Sequence, residues 1–170
     1  MDALRNNIER CFGSTPMPTD GELVEWNGLD ELDKSAAVKA FAGKPWNVLY
    51  EYLANGDTEW SSSVRLEEWS CLSQRALRYY SRPYLLYLLD TLVDENPNDE
   101  FVASLFFELH QAIRVNGGDI FDRSQKVVLK QVAQIVNETV STSDKFATWR
   151  KDIATNVNQF LSSLGPEHAG

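Results

Sequence analysis

Arg78-Tyr79-Tyr80-Ser81-Arg82-Pro83-Tyr84-Leu85-Leu86-Tyr87-Leu88-Leu89 is the most distinctive stretch of the chain, and its periodicity decides the fold. Tyr80, Tyr84 and Leu88 follow one helical row, and Leu85 and Leu89 follow the neighbouring one. Aromatic stripes at this spacing read as the central core helix, with tyrosine hydroxyls reaching polar partners at its rim. The rival reading is a tyrosine- and arginine-rich contact surface, since these residue types dominate binding hot spots. Trp26, Trp46 and Trp60, in or beside loops, would belong to the same surface. Ser73 is a fitting N-cap for this helix, and Pro83 is expected to break or kink it.

Working outward, the same 3.6-residue period recurs. Leu4, Ile8, Cys11 and Phe12 form an amphipathic stripe over residues 3–12, stopped at Gly13. The spacing predicts a helix over 30–42 ended by Gly43, and a third from Pro45 closed by Asn55-Gly56. Residues 57–72 are ambiguous: Val64 and Leu66 alternate with Arg65 and Glu67, as in a short strand or an irregular bridge. Beyond the central helix, FVASLFFELHQAI is a dense apolar helix and Asn116-Gly117-Gly118-Asp119 a strong turn. Ser124 is the expected cap of a helix whose Val127, Val128, Val132, Ile135 and Val136 share a face. Ser143 opens the last helix, with Phe146, Trp149, Ile153, Val157, Phe160 and Leu161 at helical spacing, and Gly165-Pro166 ends it. The expectation is an all-α single domain of seven or eight helices over residues 1–164, with a flexible tail at 165–170. No internal repeat of fixed period is present, which disfavours a solenoid.

The chain has 170 residues, 43% of them hydrophobic, and a net charge of −9. Size and composition suit one buried core. Residues 1–100 hold 18 acidic and 9 basic side chains, whereas residues 101–170 hold 7 of each. The acidity gathers in three clusters: Glu22, Glu25, Asp30, Glu31 and Asp33; Glu67 and Glu68; and the 90–100 segment with Asp94, Glu95, Asp99 and Glu100. Such clusters solubilise a surface. Where two of them converge, they would steer a basic partner. The same balance argues against binding a phosphate backbone. The first residues carry Asp2, Arg5, Glu9 and Arg10 and lack a secretory apolar stretch, and no run approaches the length of a membrane span. A soluble cytoplasmic protein with reduced Cys11 and Cys71 is the expectation.

Catalytic constellations are absent from the sequence. Zinc needs three or four ligands at workable spacing, and His110 has no second His or Cys three or four positions away. Gly43-Lys44 fails the phosphate-loop pattern, because Val38 stands where the first glycine belongs and Pro45 follows the lysine. Cys11 lies on an apolar stripe, and Cys71 has no adjacent histidine to activate it. No catalytic residue, cofactor site or metal site is therefore expected.

The order of motifs resembles a family of small bacterial proteins described as a domain of unknown function. The likeness runs over residues 5–137. It is carried by Leu72-Ser-Gln-Arg-Ala-Leu-Arg-Tyr-Tyr-Ser-Arg-Pro-Tyr-Leu-Leu86 and by Arg123-Ser-Gln-Lys-Val-Val-Leu129. Its marker here is Tyr79, Tyr80, Pro83, Leu85 and Leu86. The chain departs from the pattern at Gln74-Arg75, where the family begins the central helix with a proline and an acidic residue. The helix over 143–164 reads as an addition. The resemblance implies a helical bacterial protein and supplies no catalytic residues.

Taken together, these readings lead to an acidic protein-binding module: an immunity or antitoxin-like inhibitor that occludes a basic toxin, with no nucleic acid or membrane partner. The partner-binding residues expected are Glu22, Glu25, Asp30, Glu31, Asp33, Glu67, Glu68, Asp94, Glu95, Asp99 and Glu100. Two rivals are a scaffold subunit that packs its aromatic helix on an assembly, and an enzyme that uses convergent carboxylates with His110.

Overall fold

The computed structural model describes residues 1–24, 31–56 and 66–165. Among them the fold is all-α, with eight α-helices and no strand: α1 Asp2–Phe12, α2 Glu31–Phe41, α3 Trp46–Asn55, α4 Leu66–Ser70, α5 Gln74–Val93, α6 Asp99–Asn116, α7 Arg123–Thr142 and α8 Arg150–Ser163.

Helix α5 is the axis, touching α1, α3, α4, α6 and α7. Ser73 caps it as expected, its hydroxyl accepting from the Ala76 backbone N–H at 3.2 Å. Of the break or kink expected at Pro83, the break does not occur: α5 runs on through it to Val93. An interior proline removes one backbone bond, here to the Tyr79 carbonyl, and costs about 3 kcal/mol. Burial offsets that cost, because thirteen of the twenty residues of α5 are buried, among them Tyr79, Tyr80, Pro83, Tyr84, Leu85, Leu86, Leu88 and Leu89. The core reading of the aromatic helix is therefore the observed one. Tyr80 packs on Phe41 with ring centroids 4.8 Å apart, and its hydroxyl bonds the carbonyl oxygens of Phe41 and Lys44 at 2.9 and 2.8 Å. Tyr84 packs on the buried Trp69 of α4 at 5.4 Å. The arginines of α5 are also engaged within the fold. Arg75 pairs with Glu22, Arg78 donates to the Ile120 and Asp119 carbonyls, and Arg82 pairs with Glu9 while its guanidinium lies 3.6 Å over the Trp46 ring.

Glycine shapes two junctions. Gly56 ends α3 at φ +63, a left-handed conformation that only glycine adopts without strain. Gly13 ends α1 without positive φ, but a Cβ there would collide with the Glu9 carbonyl oxygen and crowd Arg82.

Three expected boundaries shift. Residues 66–70 form a helix rather than part of a strand or an irregular bridge, with Leu66 and Trp69 three apart and both buried. Residues 57–65 lie outside the described residues. The cap of α7 is Asp122, not Ser124. Its carboxylate accepts from Gln125 N at 2.9 Å, while the Gln125 side chain accepts from Asp122 N at 3.1 Å, a reciprocal box that leaves Ser124 donating to Asp122. Ser143 caps a single 3-10 turn, Asp144–Phe146, which buries Phe146, and α8 begins only at Arg150. Of the five residues assigned to the shared face of α7, Val127 is exposed and Ile135 half-buried, while Leu129, Ala133 and Val140 complete the buried face.

The pairing of α6 with α8 is the most extensive in the molecule. Ile153, Val157 and Phe160 of α8 are fully buried, Phe160 against Phe106 at 5.5 Å, and Asn156 donates to the Ala103 carbonyl at 3.0 Å. The C-terminal helix is thus part of the core and forms one wall of the groove described next.

Candidate partner-binding groove

Two adjoining clefts, of about 300 and 370 Å³, share Glu67 and Glu108 and so form one groove. The first is lined by Asp33 of α2, Glu67, Glu68 and Ser70 of α4, Cys71, and Glu108 of α6. The second lies between α4, α6 and α8, where Phe107, Trp149 and Asp152 join Glu67 and Glu108. The groove thus gathers five carboxylates from four helices, and none of the described residues that line it is a lysine or arginine.

Local sequence explains the arrangement. On α6, Ala103 and Phe107 form one row, and Ser104 and Glu108 the next, so both rows face the second cleft while Leu105, Phe106 and Leu109 enter the core. On the five-residue α4, Leu66 and Trp69 are buried, which turns Glu67 and Glu68 to the groove. The electrostatics follow from like charges meeting at a half-buried site. Burial raises the Glu108 carboxyl above the usual range, Ser70 partly counters it, and the charge of Glu67 adds to the rise. The half-buried Cys71 thiol is pushed up by burial and by Asp33, Glu108 and Glu68. That is the opposite of what a nucleophilic cysteine needs.

The expected acidic residues divide sharply. Asp33, Glu67 and Glu68, from two of the three clusters, do converge. Glu22 does not join them. It closes a box with Thr19, accepting from Thr19 N and Oγ1 at 2.9 Å, and pairs with Arg75. The bonds from Thr19, backbone first, and then Arg75 hold its carboxyl below the ordinary value. Glu31 is exposed and lies 3.6 Å from Lys34. Asp94 accepts from Asn96 N within the α5–α6 turn, and Asp99 and Glu100 stand in the first turn of α6, where carboxylates complement the helix dipole. Glu95 is exposed in the same turn. Glu100 continues the Ser104–Glu108 row one turn beyond the groove. Glu25 and Asp30, like Trp26, Trp60 and the tail at 166–170, lie outside the described residues.

Sequence reasoning missed Glu108 and Asp152, both in the half of the chain with balanced charge. The signal for Glu108 was present: a lone carboxylate inside the apolar run of 101–113. Asp152 carries no comparable mark. His110 is half-buried, and its Nδ1 has no hydrogen-bond partner. No group of three or more His, Cys, Asp or Glu side chains among the described residues is arranged to hold a metal ion, and none of the described helices is long and apolar enough to cross a membrane. No family model matches the chain, and neither a curated protein nor a solved structure is similar to it.

Proposed function

We propose that this chain is a protein-interaction module that docks a basic partner in the groove between α2, α4, α6 and α8. One observation carries the reading: five carboxylates from four helices line a groove in which no described lining residue is basic. Gathering like charges costs folding free energy, and a cationic partner relieves that cost on binding. The same field repels nucleic acid and speeds encounter with a basic protein.

In its specific form the reading is an inhibitor of the immunity or antitoxin type, because a toxin that cleaves nucleic acid needs a basic surface for its substrate. The family resemblance rests on Tyr79, Tyr80, Pro83, Leu85 and Leu86, all of them buried. It therefore speaks to the core of the fold, not to the groove. The scaffold reading needs an exposed 79–89 segment, and most of that segment is interior.

Affinity isolation of the tagged chain from its native lysate, at low and high salt, tests the proposal. The expected result is one basic protein in stoichiometric amount, released by salt and lost from the E67K/D152K and E67K/E108K/D152K variants. A partner retained equally by the folded reversal variants contradicts it.

A further inference from the structure

Phe107 is anomalous on this surface. Of the large apolar side chains exposed among the described residues (Met1, Met17, Leu32, Val93, Phe107, Val115 and Val127), it alone is aromatic, and 43% of it is open to solvent. It lines the α4/α6/α8 cleft together with the half-buried Trp149 indole and the carboxylates of Glu67, Glu108 and Asp152. The charge of the cleft calls for a cation, and its aromatic walls discriminate among cations. An ammonium group is compact and strongly hydrated. A guanidinium is flat, weakly hydrated, stacks on rings and forks to carboxylates.

The chain already builds this combination elsewhere with its own side chains. On the opposite flank of α5, the Arg82 guanidinium lies over the Trp46 ring at 3.6 Å and pairs with Glu9. The α4/α6/α8 cleft has the indole, a phenyl ring and three carboxylates, and no cation among the described residues that line it. Its walls are fixed beforehand, since Trp149 packs on the core and Asn156 ties α8 to the Ala103 carbonyl. Such preorganisation lowers the ordering cost of binding.

We infer that the α4/α6/α8 cleft is a docking site for an arginine side chain of the basic partner, an inference that rests on the basic-partner reading and adds the anchoring group. The test titrates the full ¹⁵N-labelled chain with two nine-residue Gly/Ser peptides, one carrying three arginines and the other three lysines, up to roughly 10 mM. The arginine peptide is expected to shift the Trp149 indole and Phe107 amide resonances and to bind about tenfold more tightly than the lysine peptide. Phe107→Ser should bring the two peptides to parity by weakening the arginine peptide alone, whereas Asp152→Asn should weaken both. Equal affinity for both peptides in the parent chain, or an arginine preference that survives Phe107→Ser, overturns the inference while leaving the basic-partner reading standing. Failure of both peptides to bind at the highest concentration overturns both readings.

Discussion

The α1/α3/α5 seam and the α2/α4/α6/α8 groove both carry charged side chains, and they dispose of them in opposite ways. In the seam Glu9 and Asp90 each meet an arginine. Arg5 pairs with Asp90, Tyr50 donates to the same carboxylate at 2.5 Å, and Arg82 joins Glu9 to Trp46. In the groove, Asp33, Glu67, Glu68 and Glu108 line one cleft, and Glu67, Glu108 and Asp152 line the next. The difference separates charge that faces a base across a helix seam from carboxylates that line a cleft side by side. A net charge of −9 does not by itself make that distinction, because Glu9, Glu22 and Asp90 count toward it yet serve the fold.

The largest effect should come from removing the wall of the groove. Phe160→Ala takes a fully buried ring from the α6–α8 contact and should cost about 3–5 kcal/mol in urea unfolding, with loss of the groove. A loss below about 1 kcal/mol would mean that α8 is not docked as described.

A smaller effect should mark the seam. Arg82→Met leaves Glu9 without its partner and strips the Trp46 stack, costing about 1–3 kcal/mol; Glu9 is partly solvated, which favours the lower part of that range. Glu67→Gln in the groove should bring no loss of stability. Calorimetry of the two variants side by side would reveal whether the surfaces differ as stated.

Smaller again are two opposed pH dependences. The folded-state pKa of Glu108 lies above its unfolded value, so folding is favoured while the group holds its proton. That contribution is complete below the ordinary carboxylate pKa near 4.3 and is lost as pH rises through the raised folded value. Glu108→Gln should therefore flatten the decline of stability above about pH 4. Glu22 has the opposite sign: its folded pKa is depressed, so its contribution is present above the ordinary value and fades as pH falls through the folded one. Glu22→Gln should remove that acid-side slope, and because Glu22 is solvent-exposed the change should be the smallest of the series. Urea midpoints measured between about pH 3 and 8 would read both.

Much of the fold was legible in the sequence, because the buried residues of α1, α5, α6 and α8 recur at helical spacing and their caps are local chemistry. The break that Pro83 could have made is absent because its cost is local, while the burial that offsets it comes from helices distant in sequence. Ser124 was misread because both serine and aspartate cap helices, and which one does so depends on the partner three residues on, as Gln125 illustrates; Ser143 does cap, but a single 3-10 turn that ends before α8. The groove was only half legible. Asp33, Glu67 and Glu68 stood out as clusters, but their meeting with Glu108 and Asp152 depends on how α4 and α8 pack against α6, and no local pattern encodes that. Glu22 looked equivalent to them in sequence and differs only because Thr19 and Arg75 are beside it in space.

The central claim is that position in the groove, not total negative charge, makes the binding surface. The direct measurement compares two triple reversals of equal charge, E67K/E108K/D152K in the groove and D94K/E95K/E100K at the α5–α6 turn, for binding of the three-arginine peptide. Loss of more than about tenfold in affinity from the groove variant, with a change under about threefold from the turn variant, is the predicted outcome. Equal losses from the two would contradict the account, since affinity would then follow net charge alone.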